Sequence, residues 1–334
     1  MMGQQTDNVE RKTIAILKAL RESPQPLGSR VLARRLNDQG INLGERAIRY
    51  HLKLMDERGL TRTVGRRDGR SITNSGLEEV NNALVNDRVG LMLTKINSIV
   101  YQCSFKTEVK SGTVPVNLSL FPAGRFNRAL ETMKDTFRNK MSLSDLVAVA
   151  AEGEKLGETT VSPGKIGLAT VSYTVVCAAL MRAGIPVDSR FGGIIQVRNY
   201  QPLRFVDLIE YGGCSLDPAT AFIVGRMTSV GQAAREGNGR ILASFCEIPA
   251  LALIKAEAVI KMLEAAGING LVKVGRISEP VCEIPVEVGK VGIILSDGLN
   301  PVAAAVEAGS EAINNMMYGV IDFGRLVSFW DLVK

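Results

Sequence analysis

The second half of this chain repeats itself at an interval of about 125 residues, and this repeat constrains the fold more than any other feature. The segment GKIGLATVSYTVVCAALMRAGIPV begins at Gly164, and GKVGIILSDGLNPVAAAVEAGSEA begins at Gly289. Each combines a β-prone apolar run with a helical one. Because the interval is far longer than the period of a solenoid repeat, it favours a two-lobed domain.

Further matches extend the repeat in both directions. Gly167 aligns with Gly292, and Gly184 aligns with Gly309. The other matched segments are VNLSLFP from Val116 with ILASFCEIP from Ile241, GGIIQV from Gly192 with YGVIDF from Tyr318, and FVDL from Phe205 with FWDL from Phe329. Because the matches keep one order, we expect lobes at about 88–208 and 209–334, related by a pseudo-twofold axis.

Each lobe alternates strand-like and helix-like runs, which predicts a mixed or parallel sheet within an α/β (or α+β) architecture. Two equivalent loops, 171–174 and 296–300, join a strand to the helix that follows it. Under pseudo-twofold symmetry these loops should face each other or lie symmetrically across the domain. Asp217, followed by Pro218, is predicted to form a turn or to begin another helix as its N-cap.

Residues 10–75 have a different character, because they predict three helices followed by a β-hairpin. The first helix spans 10–22, and Ser29 is placed to cap the second, which has Val31 among its inward positions. The third helix runs from about 45 to 58. This order is that of a winged helix-turn-helix, whose third helix enters the major groove of DNA.

The basic side chains of the chain are concentrated in this first module. Residues 1–80 carry 15 Lys and Arg against 10 Asp and Glu, whereas residues 81–334 carry 25 against 24. This asymmetry predicts a polyanion partner for the first part only. The predicted domains are therefore a DNA-binding domain at 1–80 and a regulatory, effector-binding and dimerisation domain at 81–334, with 81–88 as a short helical linker.

The third helix and the hairpin supply the candidate DNA contacts. Arg46, Arg49 and Lys53 recur at one face of the helix, opposite its apolar stripe. Arginine suits bidentate contact with guanine, and wing arginines suit phosphates. The candidate set is Ser29, Arg46, Arg49, Tyr50, Lys53, Arg62, Arg66, Arg67 and Arg70. His51 is interpreted as a structural histidine.

The two equivalent loops supply candidate effector contacts, because backbone N–H groups and the helix dipole favour an anion there. Arg190 adds a cation beside two glycines whose backbone is expected to be flexible. The candidate set is Thr170, Ser172, Tyr173, Thr174, Arg190, Gly192, Gly193, Ser296 and Asn300. Ser172, Thr174 and Asn300 are also compatible with a simple role as helix caps.

Several function classes lack their sequence signals. The chain has no GxGxxG, GxxxxGK[ST] or HExxH motif, and no nucleophile–base pair is visible. Its five cysteines form no CxxC pair, and its single histidine gives a metal site little material. We therefore expect neither an enzyme nor a metalloprotein. The polar start and the absence of a long apolar run predict a cytoplasmic protein without a transmembrane helix.

The segments RKTIAILKAL and LGSRVLARRLNDQGINLGERAIRYHLKLMDERGLT, followed by DRVGLMLTKINSIVYQCSF and GGCSLDPATAFI, resemble the NrpR family of archaeal repressors of nitrogen-assimilation genes. The resemblance covers essentially the whole chain. It implies a homodimer on a palindromic operator in double-stranded DNA. It also implies that 2-oxoglutarate binds the regulatory domain as effector and weakens DNA binding, with no other cofactor. Many members carry two regulatory domains and this chain has room for one, which leaves open a second regulatory-domain subunit as partner.

Two alternatives remain at this point. The first is an enzyme that acts on a small carboxylic acid and carries an autoregulatory DNA-binding domain. The second is an architectural DNA-binding protein with a dimerisation domain and no ligand. Turnover of a small acid would favour the first, and operator affinity that no metabolite changes would favour the second.

Overall fold

The structure is a computed structural model that describes residues 2–21, 23, 26–38, 41–64, 69–81, 90–157 and 159–333. The chain divides into two compact units, Met1–Arg88 and Val89–Lys334, called here the DNA-binding unit and the regulatory unit. None of the helices in the described ranges combines the length and apolar character needed to cross a membrane.

The DNA-binding unit contains α1 (Met2–Arg21), α2 (Ser29–Asp38), α3 (Glu45–Glu57), β1 (Thr61–Thr63), β2 (Arg70–Ile72) and α4 (Asn74–Asn81). The two strands pair antiparallel, with Thr61 opposite Ile72. Three helices and a hairpin in this order form a winged helix-turn-helix, as predicted. The helix α1 begins earlier than expected, and the predicted linker at 81–88 lies outside the described residues from 82 onward.

The core of this unit is built from apolar side chains of all three predicted helices, including Leu17, Leu36 and Leu52. Two local expectations were wrong. Val31 is 47% exposed rather than inward, because the buried face of α2 is centred on Leu32 and Leu36.

The second error concerns the start of α2. The helix begins at Ser29 itself, and the backbone carbonyl of Gly28 accepts from the N–H of Leu32. The Ser29 hydroxyl instead donates to Glu45 on α3, at 3.2 Å. Ser29 therefore ties α2 to the start of α3 and is not the N-cap of its own helix.

The regulatory unit contains α5 (Leu91–Gln102), β3 (Thr113–Pro122), α6 (Phe126–Arg138), β4 (Leu146–Ala150), β5 (Lys155–Leu156), β6 (Thr159–Thr160), β7 (Lys165–Val171), α7 (Thr174–Arg182), β8 (Asp188–Arg198), β9 (Gln201–Glu210), α8 (Pro218–Val224), α9 (Val230–Glu236), β10 (Gly239–Pro249), α10 (Leu253–Ala265), β11 (Leu271–Val274), β12 (Lys290–Ser296), α11 (Asn300–Glu307), β13 (Ile313–Asp322), β14 (Val327–Ser328) and α12 (Phe329–Leu332). The mixed helix and strand content confirms the predicted fold class.

Two five-stranded sheets organise the described part of this unit. Their strand orders are β13-β3-β7-β4-β14 and β11-β12-β10-β8-β9. The strand pairs recorded in both sheets are antiparallel. The expectation of a mixed or parallel sheet was therefore wrong. Apolar runs on strands buried from both sides look alike whichever way the neighbouring strand runs.

The duplication is real at the level of structure. β3, α6, β4, β7, α7 and β8 are matched in order by β10, α10, β11, β12, α11 and β13. Each set has the β-α-β-β-α-β order of a ferredoxin-like unit. However, β8 pairs with β10, and β13 pairs with β3, so the fourth strand of each repeat lies in the sheet of the other repeat. The predicted lobes at 88–208 and 209–334 are therefore not separate bodies.

One predicted match was wrong. FVDL from Phe205 lies inside the strand β9, whereas FWDL from Phe329 forms the short helix α12. Phe329 is fully buried and stacks on Phe137 of α6, with ring centroids 4.1 Å apart. The two segments are similar in sequence but do not occupy equivalent positions in the repeat.

The exchange of strands also brings helices of different repeats together. α6 packs against α11, and α10 packs against α7. The loops that precede α7 and α11 are therefore the places where the chain crosses from one sheet to the other. We call residues 171–174 the first crossover and residues 296–300 the second crossover.

Candidate DNA-binding and effector sites

The helix α3 separates an apolar face from a polar one. Ile48, Leu52 and Met55 are fully buried against the core of the DNA-binding unit. On the opposite side, all four predicted DNA contacts of this helix are exposed: Arg46, Arg49, Tyr50 and Lys53. This is the arrangement that a recognition helix requires, since its outer face must be free to enter the major groove.

An ion-pair cluster occupies the first turn of α3. Glu45 accepts from Arg49 at 2.6 Å and from Ser29 at 3.2 Å, and Arg30 lies 3.8 Å from its second oxygen. The hydrogen bond from Arg49, followed by that from Ser29, lowers the pKa of Glu45. Arg49 is therefore held along the helix, while Arg46 has no ion pair within 4 Å in the described part of the chain.

Two further side chains complete the outer face. Lys53 lies 3.9 Å from Glu57, an exposed pair that contributes little because water and salt screen it. Tyr50 is 61% exposed and meets the ring of His51 edge to face. An exposed aromatic between three cations suits contact with a base or sugar, and Lys53 can leave Glu57 for a phosphate at small cost.

The described arginines of the hairpin differ in role, because one is bonded within the protein and another is exposed and free to contact DNA. Arg70 donates from Nε to Asp56 at 2.7 Å, and Asp56 also accepts from the Thr61 hydroxyl. This half-buried pair fastens β2 to α3. Arg62 is exposed on β1, whereas Arg66 and Arg67 lie outside the described residues.

His51 is a core residue, as expected. Its ring is buried, and burial followed by the charge of Lys12 lowers its pKa, so that it is neutral near pH 7. Its Nδ1 atom has no hydrogen-bond partner within the described residues.

The two crossovers meet inside the regulatory unit. A Cβ atom placed on Gly298 would lie 2.0 Å from the carbonyl oxygen of Val171 and 3.0 Å from Nδ2 of Asn117. Only glycine allows this approach. The expectation that the equivalent loops face each other is therefore confirmed, and the cause is the crossing of the chain between the sheets.

The first crossover carries buried polar atoms without partners. Thr170 Oγ1 is buried and has no hydrogen-bond partner in the described ranges, and the Tyr173 hydroxyl has only that of Tyr211 beside it. Nδ2 of Asn117, opposite Thr170 in the neighbouring strand, is in the same state as Thr170 Oγ1. Ser172 is engaged locally, since its Oγ accepts from the Thr174 hydroxyl at 3.0 Å.

The second crossover is bonded throughout. The Asn300 amide donates to the carbonyl oxygens of Met141 and Leu242, both at 2.9 Å, and accepts from the Leu242 N–H at 2.8 Å. Ser296 donates to the same Met141 oxygen at 2.6 Å. These bonds give Ser296 and Asn300 a structural role, and contact of either with an effector stays a prediction.

Acidic groups surround the crossovers. Burial raises the pKa of Asp297 to about 7, against the opposing effect of a hydrogen bond from the N–H of Leu299. The charge of Asp217 raises it further. Burial also raises the pKa of Tyr173 and that of Tyr211, whose rings stack 6.3 Å apart. A dicarboxylate at this point would meet acids and phenols rather than a cation.

Arg190 belongs to an ion-pair network. Its guanidinium lies 3.1 Å from the buried carboxylate of Glu247 and 2.9 Å from Glu287. Lys290 lies 3.3 Å from Glu247 and 3.0 Å from Asp188. The three carboxylates are close enough together for a metal ion, but these two protein cations already lie among them. Arg190 thus compensates a buried acid, and a role in effector binding stays a prediction.

The flexible backbone expected beside Arg190 is wrong. Gly192 and Gly193 lie within β8, paired with β10 on one side and β9 on the other. A Cβ on Gly192 would meet the Tyr211 hydroxyl at 2.8 Å, and one on Gly193 would meet the Asp207 carbonyl at 2.6 Å. These glycines permit close packing, and whether they also touch an effector is untested.

Three side chains outside the predicted effector set hold one bulge of β13. The register between β13 and β3 breaks between Asn315 and Gly319. Asp217, which does cap α8 as predicted, accepts from the Met316 N–H at 3.0 Å. Asn117 accepts from the Met317 N–H, and Lys95 donates to the Met316 carbonyl, both at 2.8 Å. A polar residue within an apolar strand or helix was the available signal for Asn117 and Lys95.

Comparison with known proteins follows the division of the chain. A profile of the NrpR regulatory domains NRD1 and 2 matches residues 89–328. A profile of the ribonuclease R winged-helix domain matches residues 14–80. The two matches together cover both units in the order that the structure shows.

Relatives that align with at least 90% of this chain agree with these matches. The global nitrogen regulator NrpRI of Methanosarcina mazei is 37% identical over 94% of this chain and 97% of its own length. The global nitrogen regulators NrpR of Methanococcus maripaludis and Methanocaldococcus jannaschii are 29% and 31% identical over 90% of this chain. The chain spans about half the length of these last two relatives, 52% in each case.

A solved structure shares the fold. The nitrogen repressor-like protein of Methanococcus jannaschii superposes with a TM-score of 0.62 at 22% identity. The superposition covers 72% of this chain and 98% of that protein. The profile match over more than half of the residues, together with the relative from M. mazei, shows that the chain belongs to the NrpR family.

Proposed function

We propose that this chain is a DNA-binding transcriptional repressor of nitrogen-assimilation genes that is released from a palindromic operator when 2-oxoglutarate binds the regulatory unit. Membership of the family makes the chain a nitrogen transcription regulator with a winged-helix DNA-binding unit, and not an enzyme. The identity of the effector, the release from the operator and the homodimer are the parts that we add.

The observation that carries the DNA-binding part is the exposed polar face of α3. Arg46 and Lys53 can reach bases and phosphates directly, and Arg49 is available once it leaves Glu45. Leaving is inexpensive because both partners are solvent-exposed. The glutamate is itself a suitable acceptor for the amino group of cytosine. The first turn of α3 can therefore read both bases of a G·C pair.

A second copy of this chain is the proposed partner, because one outer helix face of the regulatory unit is apolar while its equivalent is polar. Leu251, Ile254 and Met262 are exposed on and just before α10. The repeat places Asn127 and Asp135 of α6 at the positions of Ile254 and Met262. Exposed apolar groups in a row mark an interaction surface.

Charge favours a twofold pairing of two α10 helices. Glu257 and Lys261 are exposed on the same flank of the apolar row. In an antiparallel pair centred near Ala258, Lys261 would lie beside Glu257 of the partner subunit. A twofold dimer also matches the two half-sites of a palindrome.

The test is operator binding by fluorescence anisotropy at one fixed salt concentration, on duplexes that the chain selects from a random pool. Salt is held constant because phosphate contacts make the affinity steeply salt-dependent. We expect 2-oxoglutarate to weaken binding about 5- to 150-fold, the usual range for allosteric coupling. Unchanged affinity over a panel of small acids would instead favour an architectural DNA-binding protein.

Matched variants separate the parts of the proposal. The double change Arg46→Ala with Arg49→Ala should abolish sequence preference, whereas Arg125→Ala with Arg128→Ala in the regulatory unit should leave it intact. Ile254→Lys should shift the chain from dimer to monomer in sedimentation velocity, and Asn127→Lys at the equivalent position should not. A dimer that survives Ile254→Lys would exclude α10 as the interface.

A further inference from the structure

A cavity of about 590 Å³ lies between α5 and the bulged part of β13. Its volume is in the range that small-molecule sites occupy in proteins. One wall is a face of α5, and the other is formed by Met317, Tyr318, Gly319 and Val320 of β13. The cavity lies wholly within the regulatory unit.

The strand wall of the cavity is rigidly held in an unusual conformation. Met317 is fully buried and has a φ of 48°, in the left-handed region that residues with a side chain rarely adopt. The backbone that leads into it is held by Asp217 and Lys95, which bond Met316, and by Asn117, which bonds the N–H of Met317. Strained backbone that is held from several sides is typical of ligand sites.

The helix wall supplies one cation and a row of neutral polar groups. Lys95 is the only cation that lines the cavity among the described residues. Thr94, Ser98 and Gln102 line it at spacings of four residues along α5. Hydroxyl and amide donors beside one ammonium group suit an anion with several oxygen atoms.

The ammonium group of Lys95 is short of counter-charge. Its one recorded bond is to the Met316 carbonyl, and no carboxylate lies within 4 Å of it in the described part of the chain. Burial lowers its pKa, against the attraction of Asp217. A carboxylate entering the cavity would form a charge-assisted hydrogen bond with this group and offset its loss of hydration.

We propose that this cavity binds a small dicarboxylate, with one carboxylate on Lys95 and the other oxygens on the polar row of α5. The identification of the ligand as 2-oxoglutarate rests on the proposed function. The cavity differs from both crossovers in this respect, because Lys95 lines the cavity whereas the second crossover contains the buried acid Asp297.

The helix α5 is the first described helix after Arg88, where the division between the two units falls. A ligand that binds between α5 and β13 shifts the regulatory unit toward the conformation that it binds more tightly, by its difference in affinity for the two conformations. Under the proposed function, this shift is the event that lowers the affinity for the operator.

The test is isothermal titration of the full chain with 2-oxoglutarate, succinate and glutarate, alongside the operator assay. Lys95→Met keeps the length of the side chain and removes its charge. We expect its affinity for 2-oxoglutarate to fall at least about 10-fold. Lys95→Arg should restore part of the affinity, and Lys106→Met, an exposed lysine of the same unit, should bind as the unaltered chain does.

A second variant protects the test against misfolding. Ser98 is exposed, so Ser98→Trp fills the cavity without disturbing the core. It should block binding and leave the operator complex resistant to the ligand. Normal 2-oxoglutarate affinity in both Lys95→Met and Ser98→Trp would overturn the cavity while leaving the proposed function intact.

The remaining outcomes separate the two proposals. If the unaltered chain ignores 2-oxoglutarate but binds another of these dicarboxylates through Lys95, the proposed effector is wrong and the cavity stands. If no dicarboxylate binds the unaltered chain, both proposals fail.

Discussion

The two crossovers occupy equivalent places in a duplicated fold, yet the polar atoms at the two places differ in their hydrogen bonding. At the second crossover, Asn300 and Ser296 are bonded to backbone groups of two other segments. At the first, the Thr170 hydroxyl and the Nδ2 atom of Asn117 are buried without partners in the described ranges. The buried polar atoms of the second crossover are therefore hydrogen-bonded, whereas those of the first cost stability because they lack partners. The equivalence of position therefore says nothing about the equivalence of role.

The largest effect should come from Asn300→Ala. This change leaves the N–H of Leu242 without its partner. The carbonyls of Met141 and Leu242 each lose one hydrogen bond but keep those from Ser296 and from the N–H of Asp297. At roughly 1–3 kcal/mol for the buried N–H and about 1 kcal/mol for each lost bond, the free energy of unfolding should fall by about 4 kcal/mol. The measurement is urea unfolding of the full chain followed by the fluorescence of Trp330, the only tryptophan, which reports on the regulatory unit.

Asn117→Ala is the matched control at the first crossover. Asn117 accepts one backbone N–H and leaves its amide group unbonded, so its loss should cost only about 1–2 kcal/mol. If the two variants lost equal free energies of unfolding, the contrast between a hydrogen-bonded second crossover and a less bonded first crossover would be wrong.

The second effect is a dependence of stability on pH that originates at Asp297. Because its pKa rises from 3.8 to about 7 on folding, the folded state holds a proton that the unfolded state releases. The free energy of unfolding should therefore fall as pH rises from about 4 to 7, by on the order of 4 kcal/mol, and be level above that range. Asp297→Asn should abolish this part of the pH profile.

The matched control for the pH profile is Glu108→Gln, which alters an exposed carboxylate of the same unit. It should leave the slope between pH 4 and 7 as it is in the unaltered chain. A slope that persists in Asp297→Asn would mean that other groups titrate, and that the second crossover is not the acidic one.

The smallest effects should have opposite signs at the two crossovers. Thr170→Val removes an unpartnered buried hydroxyl at nearly constant volume and should stabilise the regulatory unit by about 1 kcal/mol. Ser296→Ala removes a hydroxyl bonded to Met141 and should destabilise it by about 1 kcal/mol. Urea midpoints read from Trp330 compare the two.

The variant Thr170→Val also tests where the effector acts. Because the proposed cavity depends on Lys95, Thr170→Val should keep the response of operator binding to 2-oxoglutarate. Loss of that response would place the effector at the first crossover, one of the places that the sequence predicted, and would remove the reason for preferring the cavity.

The sequence determined the local elements where one periodicity dominates. The spacing of Ile48, Leu52 and Met55 predicted α3 to within one residue of its end, because a helix with one buried face needs no distant partner to define it. It also determined the duplication, since aligned glycines and apolar runs survive in both repeats. The family followed from the same residues, and the match to the profile of the NrpR regulatory domains agrees with it.

Tertiary structure alone decided strand direction, the exchange of strands and the state of each charge. Val171 and Gly298 are far apart in sequence, and only the crossing of the chain between sheets brings them together. Arg190 and Arg46 are the same residue type, and the sequence does not distinguish their environments. Arg190 lies among three carboxylates, whereas Arg46 has no ion pair within the described residues. Whether a polar side chain is bonded, paired or available depends on partners that distant segments supply, and periodicity carries no record of them.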